Sequence, residues 1–376
     1  MTSNTMAPDA IITDRPADEK MCAWFAPVLA HGSRWCALNL DTQCAFLRVN
    51  DIELPLTINA AEWANSWVCS PYTHYVSYAQ EEIRRAVGSI IGLPASVFLH
   101  AVGAWLRYAG FNRAVMVNNW LMSTNPWPHW DGRSLEAALD AMRARWPDHA
   151  IVFRSLNDRA DAPLLRALAS AGARLIPSRQ VWCFDAGSPA AQHSTNRRHD
   201  LRLLRRADIE CVSHDRLTEA DLTSLTALYH ELYLQKYSRH NPAYTAEWLT
   251  HLWRNHLLQF TALREPGGAF VGVEACGVIH GTMVSPVVGY SLSRPQKLGL
   301  YRRLAAVPMH AAESIGVPLN FSAGVGKFKA SRGCDSVMES VAVIDQHLPH
   351  SRRWPWRVIE AVSRGVLAPL ARRWRL

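Results

Sequence analysis

Three apolar segments with the residue types of β-strands follow one another between residues 260 and 291. They are Phe260–Arg264, Phe270–Ile279 and Thr282–Ser291, joined through Pro266-Gly267-Gly268 and His280-Gly281. Short turns of this kind join antiparallel strands that are neighbours in a sheet. The sequence therefore predicts a three-stranded antiparallel sheet, around which the rest of this half must be built.

Helix and strand patterns surround these three strands in an alternating order. Before them, a short strand at Ile209–Ser213 precedes two predicted helices, which Thr218 and Thr245 cap and which run to about Ser238 and Leu257. After them come a helix, a strand, a short helix and a last strand, at Leu298–Gly316, Leu319–Ser322, Val325–Gly333 and Ser336–Ile344. This order predicts a mixed α/β fold.

The first half repeats part of this order without a readable sequence repeat. A hairpin is predicted over Ala37–Leu56 with its bend at Asn50-Asp51, and two helices follow at about 75–91 and 95–108. Strands and helices then alternate, at Asn112–Leu121, Asp131–Trp146, Ala150–Asn157, Pro163–Gly172 and Ser178–Phe184. The chain of 376 residues, 49% of them hydrophobic, is long enough for two packed units.

Composition divides the chain further. We predict a flexible start over residues 1–25, two units over 26–190 and 208–348, a basic connector over 191–207 and a basic amphipathic tail over 349–376. The first 20 residues lack the apolar segment of a signal peptide, so we expect a cytoplasmic protein.

The positive charge of the chain is concentrated in the tail. The formal net charge is +8, and residues 351–376 hold seven Arg and one Glu, or +6, which leaves +2 for the rest. A nearly neutral body argues against a large nucleic-acid surface. The tail carries an apolar stripe flanked by arginines, which suits peripheral contact with an anionic inner membrane face. The alternatives are a terminal helix docked on its own unit or on an acidic acyl carrier protein.

Several other functions are excluded by missing patterns. Ala86–Leu106 has no charged residue and the length of a bilayer span, but Gly88, Gly92 and Pro94 interrupt it, so we reject a transmembrane helix. The eight cysteines form no C-x-x-C pair and are read as reduced thiols. No H-E-x-x-H or paired Cys/His spacing predicts a metal site, and no G-x-S-x-G predicts a serine nucleophile.

The element order of the second half resembles one complete copy of the GNAT acyltransferase fold, and the first half resembles a partial copy. Two such units in tandem resemble the Fem-type peptidoglycan-bridge aminoacyltransferases and related GNAT proteins of bacterial biosynthetic operons. Within Leu319–Gly333, the motif Phe328-Lys329-x-x-Arg332-Gly333 is similar to the Phe-Lys-x-x-Phe-Gly signature of Fem-type proteins. The resemblance implies an α/β (α+β) protein with tandem GNAT-like domains, each a mixed, mostly antiparallel sheet flanked by helices.

The resemblance also implies a reaction, in which an amine attacks a thioester or ester carbonyl where two central parallel strands separate. In GNAT proteins the pyrophosphate of coenzyme A lies on backbone N–H groups at a helix N-terminus, in an Arg/Gln-x-x-Gly-x-Gly/Ala loop. The equivalent residues here, expected to bind acyl-coenzyme A as co-substrate, are Arg294, Gln296, Gly299, Tyr301 and Arg302. Tyr301 replaces the second small residue, so a carrier-protein thioester and aminoacyl-tRNA stay as alternative donors, with tRNA not favoured.

Polar residues cluster at predicted strand ends, where a cleft between the units would lie. Acyl transfer to an amine needs a base and an oxyanion donor, and the candidate catalytic residues are Glu274, Tyr290, Lys329 and Glu339. The candidate substrate-binding residues are Asn118, Asn119, Ser123, Asn125, Arg154, Asn157, Arg179, Asn320 and Ser322. Each could instead be a turn former or cap, and it is their concentration that indicates a site. Glu274, in an apolar strand, is either a base with a raised pKa or a solvent-facing residue.

These patterns predict an acyltransferase that forms an amide between an acyl thioester and an amino-acid-like or small-metabolite amine, in bacterial specialised or envelope metabolism. One alternative is an aminoacyl-tRNA-dependent Fem-type transferase acting on a cell-wall or lipid acceptor, for which the arginines of 197–206 should form one continuous basic surface. The other is an inactive GNAT-like binding module, which the bulky Tyr301 favours.

Overall fold

The computed structural model describes residues 9–78, 80–81 and 101–367 of the chain. Within these residues, strands form one continuous sheet in the order β1-β2-β3-β4-β5-β12-β6-β11-β10-β9-β8-β7. The strands are β1 (Ala10–Thr13), β2 (Gln43–Val49), β3 (Ile52–Asn59), β4 (Ala114–Val117), β5 (Ala150–Asn157), β6 (Arg174–Phe184), β7 (Glu210–Ser213), β8 (Gln259–Arg264), β9 (Phe270–Ile279), β10 (Thr282–Tyr290), β11 (Leu319–Asn320) and β12 (Cys334–Ile344).

Helices pack against this sheet and connect its strands. They are α1 (Glu19–His31), α2 (Leu135–Arg145), α3 (Ala162–Ser170), α4 (Pro189–His193), α5 (Thr195–Leu204), α6 (Glu219–His230), α7 (Ala246–Arg254), α8 (Leu300–Ile315), α9 (Gly326–Ala330) and α10 (His350–Val362). Thr245 caps α7 as predicted, because its hydroxyl accepts the Trp248 N–H at 3.1 Å. At the start of α6, the Thr218 N–H donates to Asp221 at 2.7 Å.

The sheet contains two units with the same strand order. In the N-terminal unit β1 to β4 pair antiparallel and β4 pairs parallel with β5. In the C-terminal unit β7 to β10 pair antiparallel and β10 pairs parallel with β11. The predicted fold class, a mixed and mostly antiparallel sheet flanked by helices in two similar units, is confirmed. The strand order also confirms, at the level of fold, the resemblance to tandem GNAT proteins.

The two units exchange their last strands. β6 ends the first half of the chain but pairs with β11, and β12 ends the second half but pairs with β5. β6 and β12 then pair with each other in the middle, from Cys334↔Phe184 to Val343↔Arg174. The predicted bounds 26–190 and 208–348 therefore do not coincide with the strands of each unit, because periodicity identifies a strand but not its partner.

The halves also share their cores. Trp24 of α1 packs edge-on against Trp248 of α7, with ring centroids 5.8 Å apart. On the N-terminal unit, alternate residues of β5 face opposite sides, so Phe153 contacts the cluster under α2 and α3 while Val152 lies in the cluster that includes Trp356 of α10. The described part of the basic tail therefore packs against its own chain. This is one of the alternatives predicted for the tail.

Some local predictions differ from the structure. The start predicted as flexible contains β1 and, from Glu19, α1, because β1 pairs with β2. The strand predicted over Asn112–Leu121 ends at Val117, where Asn118 takes a left-handed φ of 57°. The predicted helices at 75–91 and 95–108, and most of Ala86–Leu106, lie outside the described residues. Within the part of the chain that is described, no helix has the length and hydropathy of a membrane span.

Candidate functional site

Polar side chains from both halves meet where the exchanged strands pair. Arg179 of β6 donates Nε to Oε2 of Glu339 on β12 at 2.7 Å, and Nη1 to the Ser322 hydroxyl at 3.4 Å. Its Nη2 donates to the Ser123 carbonyl oxygen and, at 3.2 Å, to the Thr124 hydroxyl. The guanidinium of Arg179 therefore joins four segments that are far apart in the sequence.

A second arginine lies beside the first against the indole ring of Trp67. The Cζ atom of Arg154 is 5.0 Å, and that of Arg179 is 5.5 Å, from the ring centroid of Trp67. Burial and the charge of Arg179 lower the pKa of Arg154 to about 10, so Arg154 stays protonated at neutral pH. We call Trp67, Ser123, Thr124, Arg154, Arg179, Ser322 and Glu339 the seam cluster.

The seam cluster contains a carboxylate with a free acceptor atom. Glu339 is 2% exposed, and its Oε1 atom has no hydrogen-bond partner among the described residues. The Arg179 ion pair holds the other oxygen in place. A buried carboxylate with one unoccupied oxygen can accept a proton from a group that enters the site.

Asp161, next to the seam cluster, was missed by the sequence prediction. Burial raises its pKa to about 7, and the nearby charge of Glu339 acts in the same direction. Its Oδ2 accepts the backbone N–H of Asn157 at 2.9 Å and the Asn157 side-chain amide at 3.2 Å. Asn157 itself accepts the N–H groups of Arg159 and Ala160, so its side chain organises the turn after β5.

Three asparagines predicted to bind substrate form hydrogen bonds with other parts of the protein instead. Asn118 donates to the Pro126 carbonyl, Asn119 donates to Thr57 and Val68, and Asn125 accepts the Trp120 N–H. All three are 1% exposed. Their side chains hold the segment after β4 in shape, in the way asparagine commonly satisfies a turn backbone.

This segment closes the gap between the parallel strands of the N-terminal unit. After the pair Val117↔Phe153, β4 ends while β5 continues. The Asn125 N–H donates to the Ser155 hydroxyl at 3.3 Å, and the Trp127 indole N–H donates to the Arg154 carbonyl at 2.7 Å. The N-terminal gap is therefore filled by the chain itself.

In the C-terminal unit, the corresponding parallel strands separate after two residue pairs. β10 and β11 pair only at Met283↔Leu319 and Val284↔Asn320, after which β10 bulges and continues to Tyr290. We call the region beyond these pairs the C-terminal gap. Three partly buried aromatic rings contact one another there, with Tyr301 4.8 Å from Phe328 and 6.1 Å from Tyr290 between ring centroids.

Glu274 lies in the middle of β9, where it pairs across with Val288. It is 0% exposed, and neither carboxylate oxygen has a hydrogen bond of acceptable geometry among the described residues. Burial raises its pKa to about 8, although the Ser285 hydroxyl and Cys276 thiol beside it act in the opposite direction. Glu274 is therefore buried and does not face solvent, which was the other interpretation from the sequence.

Lys329 anchors the loop that leads from β11 to the seam cluster. Its Nζ donates to the carbonyl oxygens of Phe321, Ser322 and Ala323, which uses all three N–H groups of an ammonium. Burial lowers its pKa to about 7. In the same loop, the side-chain carbonyl oxygen of Asn320 accepts the Ser322 N–H at 3.0 Å. Both residues hold Ser322 in position next to Arg179.

The rest of the Fem-like motif is used in packing. Arg332 donates to Asp200 of α5, and its guanidinium lies 3.4 Å from the ring centroid of Phe328. Gly333 has a φ of 83°, and a Cβ atom there would be 2.4 Å from the Ala191 backbone, so only glycine fits.

The predicted donor loop forms the N-terminus of α8. Gly299 begins the helix with a φ of 61°, and the N–H groups of Leu300, Tyr301 and Arg302 have no acceptor among the described residues. Arg302 donates to Asp200 at 2.6 Å, and Arg294 pairs with Glu265 at 2.7 Å, while Gln296 is exposed. The first turn has no acidic residue, so its free N–H groups and the helix dipole can hold an anion.

Helix α5, which lies within the basic connector, packs against this loop. Leu203 is so close that its Cδ2 would be 2.8 Å from a Cβ atom at Gly299. Arg198, Arg202 and Arg205 are exposed at helical spacing and form no ion pair in the described part of the chain. Arg197, by contrast, is buried and pairs with Glu313 at 2.9 Å. The exposed arginines make a basic stripe next to α8, but Arg197 is not part of it.

No group of three or more His, Cys, Asp or Glu side chains in the described ranges is placed to hold a metal ion. No protein-family model and no curated protein matches the chain.

Several solved structures are similar to the chain at low sequence identity. L-PGS from Bacillus licheniformis is 13% identical with a TM-score of 0.45, over 72% of this chain and 95% of that one. FemX is 9% identical with a TM-score of 0.45, over 61% and 79%. A tandem GNAT protein from the clavulanic acid biosynthesis pathway is 10% identical with a TM-score of 0.38, over 88% and 90%. Values this low carry no residue roles across, and what the chain itself shows is one mixed, mostly antiparallel sheet built from two units of the same strand order.

Proposed function

We propose that the protein is an acyltransferase that forms an amide between an activated acyl donor and the amine of a small acceptor. The donor occupies the C-terminal gap and the acceptor amine lies at the seam cluster. The observation that carries the proposal is the contrast between the two gaps. The chain fills the N-terminal gap with its own hydrogen-bonded segment, whereas aromatic rings contact one another at the C-terminal gap and Ser322 connects it to Arg179 and Glu339.

The donor in this proposal carries a phosphate. The free N–H groups at the start of α8 and the exposed Lys297 next to them favour an anion at the entrance to the C-terminal gap. A thioester on coenzyme A or on the phosphopantetheine of a carrier protein has this chemistry. The rings of Tyr290, Tyr301 and Phe328 then face its apolar arm.

The seam cluster supplies the chemistry of the transfer. The amine nitrogen attacks the thioester carbonyl carbon, and Oε1 of Glu339 takes the proton that the amine loses. Arg179 and the Ser322 hydroxyl are the donors nearest to a developing oxyanion. Once the C–N bond has formed, the C–S bond breaks. The proton then passes to the thiolate, which leaves as a thiol.

A second candidate is a transferase that uses aminoacyl-tRNA. The basic stripe of Arg198, Arg202 and Arg205 favours it, because three exposed arginines on one helix face suit a phosphate backbone. The stripe lies beside the start of α8, so an RNA bound there would bring its aminoacyl ester to the same gap. The burial of Arg197 makes the basic surface smaller than this alternative predicts.

Binding of the donor can be measured by thermal unfolding with acyl-coenzyme A thioesters and free coenzyme A. A ligand at 100 times its Kd stabilises the folded state by about 2.7 kcal/mol, and we expect a clear rise in Tm. Lys297→Glu should reduce the rise, because it places a negative charge beside the phosphate site. Arg166→Glu, an exposed change on α3 of the N-terminal unit, is the matched control.

If coenzyme A compounds leave the Tm unchanged while a charged tRNA raises it and ribonuclease abolishes that rise, the second candidate is supported instead. If no coenzyme A thioester, no acyl carrier protein and no charged tRNA raises the Tm, both candidates are wrong.

A further inference from the structure

Helix α10 packs one side against the N-terminal unit and leaves another side exposed. On the packed side, the ring of Trp356 lies 4.4 Å from that of Phe111 and 6.3 Å from that of Tyr75 between centroids. The residues that are exposed recur at intervals of three or four, at Trp354, Arg357, Ala361 and Arg364. Residues at this spacing lie on one side of a helix, so they form a stripe along α10 and the turn that follows it.

Large apolar side chains are exposed on and beside this stripe. Trp354 is 55% exposed, and Val362 at the end of α10 is exposed as well. Tyr108, which is 93% exposed, precedes Gly110 by two residues, and a Cβ atom at Gly110 would lie 3.5 Å from the guanidinium of Arg352 on α10. Tyr108 is therefore close to the first turn of α10. Apolar groups exposed together indicate an interaction surface, whereas singly exposed ones do not.

The arginines of this surface are not neutralised within the described structure. Arg357 is exposed and Arg353 is half-buried, and neither forms an ion pair with another described residue. Glu360 is the one acidic residue among 351–376, and it already pairs with Arg364 at 3.2 Å. We call Tyr108, Arg353, Trp354, Arg357 and Val362 the tail surface. It combines unpaired positive charge with exposed aromatic and aliphatic side chains.

We infer that the tail surface binds an anionic phospholipid bilayer at the level of its headgroups. Tryptophan and tyrosine favour this layer, because their rings lie among apolar groups while the indole N–H or phenol hydroxyl reaches water. Arginine side chains at the same level pair with lipid phosphates. The aliphatic Val362 favours a bilayer over a nucleic acid, because a phosphate backbone offers it no apolar partner.

The tail surface can reach a bilayer without any change of fold. The packed side of α10 stays in the core cluster that holds Trp356, so the helix lies flat on the body and presents its exposed stripe outward. No residue of the tail surface belongs to the seam cluster or to the C-terminal gap. Membrane binding is therefore independent of the proposed function, and each can fail without the other.

The test is co-sedimentation of the full chain with lipid vesicles. One set is phosphatidylcholine alone, and the other contains about 30% phosphatidylglycerol, which makes the surface anionic. We expect binding to the anionic vesicles to be at least about 10-fold tighter than to the neutral ones, and to weaken as salt is added. Arg357→Glu should weaken it a further 5- to 30-fold, roughly the effect of reversing one charge near the membrane surface. Trp354→Ala should weaken it by about 3- to 10-fold, because an interfacial aromatic ring is lost.

Two exposed changes elsewhere are the matched controls. Arg166→Glu reverses a charge on α3, which packs on the opposite face of the sheet from α10. Ile315→Ala removes an apolar side chain that is 57% exposed, nearly the same fraction as Trp354, at the end of α8. Both controls should bind the anionic vesicles within about twofold of the parent. Thermal unfolding of all four variants shows that the changes do not act through stability.

Other results overturn the inference. Equal binding to neutral and anionic vesicles, no binding to either, or the same loss in Arg357→Glu and Arg166→Glu would each show that the tail surface does not bind anionic lipid. A labelled RNA and an acidic carrier protein are titrated in parallel. If one of these binds the parent but not Arg357→Glu, while anionic vesicles do not bind, the surface serves that partner and the inference is wrong.

Discussion

Replacing Glu339 by Gln is expected to lower kcat for amide formation by about 10²- to 10⁴-fold, the usual contribution of a positioned general base. The side chain keeps its size, and its amide oxygen can still accept the Nε–H of Arg179, which now lies 2.7 Å from the carboxylate. What the variant loses is the basic Oε1 atom that has no partner in the described structure. We therefore expect a folded protein that binds both substrates but transfers slowly.

The control for this variant is Glu313→Gln. Glu313 also pairs with a largely buried arginine, Arg197, at 2.9 Å, but lies at the far end of α8 from its first turn. The rate of this variant should stay within about threefold of the parent, because the ion pairs of Glu313 in the described structure are with Arg197 and His310 and not with the seam cluster. Steady-state rates and thermal unfolding are measured for both variants. Equal rates for Glu339→Gln and the parent would remove Glu339 from the mechanism.

Glu274→Gln is expected to change how stability depends on pH. The pKa of Glu274 is raised to about 8 in the folded state, against an ordinary value of 4.5 in the unfolded chain. The folded state therefore holds its proton more tightly, and the free energy of unfolding falls as pH rises from about 4.5 to about 8. Each pH unit in this window corresponds to about 1.4 kcal/mol for one proton. Gln has no such proton, so the variant loses this part of the slope.

Denaturant unfolding of the parent and Glu274→Gln between pH 5 and pH 9 measures this difference. The variant should be similar to the parent near pH 5 and more stable by several kcal/mol at pH 9. Glu265→Gln is the control, since its carboxylate is partly exposed and paired with Arg294. Parallel curves for the parent and Glu274→Gln would show that the Glu274 carboxylate is solvated or paired in solution.

The elements of the fold could be predicted from the sequence because they depend on local patterns. The caps at Thr218 and Thr245, the bend at Asn50 and the three antiparallel strands β8 to β10 lie where the periodicity and turn residues indicate. The exchange of β6 and β12 could not be predicted, because alternation specifies which face of a strand is buried but not which strand lies beside it.

Part of the seam cluster could also be predicted, because some of its residues have a local signal in the sequence. The sequence indicates a site at Ser123, Arg154, Arg179, Ser322 and Glu339 because they are polar residues at predicted strand ends, and the structure brings all five together. Asn118, Asn119 and Asn125 have the same local signal, yet their amides satisfy the backbone of a closed segment. Nothing in the local sequence separates these two uses, since they depend on which distant groups lie within hydrogen-bond distance.

Trp67 and Asp161 have no signal of their own in the sequence. Trp67 lies in a loop of the first half, and its indole N–H donates to Asn241 of the second half at 2.9 Å. Only the pairing of the two units brings its ring against Arg154 and Arg179. The role of such a residue follows from tertiary contacts, not from spacing.

The most direct test of the account is product formation by the purified protein. Acyl-coenzyme A thioesters are incubated with amino acids and other small amines, and mass spectrometry is used to detect the N-acyl product while released thiol is titrated. The account predicts a new amide with one thiol released for each, and a loss of both with Glu339→Gln. Folded protein that forms no amide from a thioester or from aminoacyl-tRNA, with any of these amines, would contradict it.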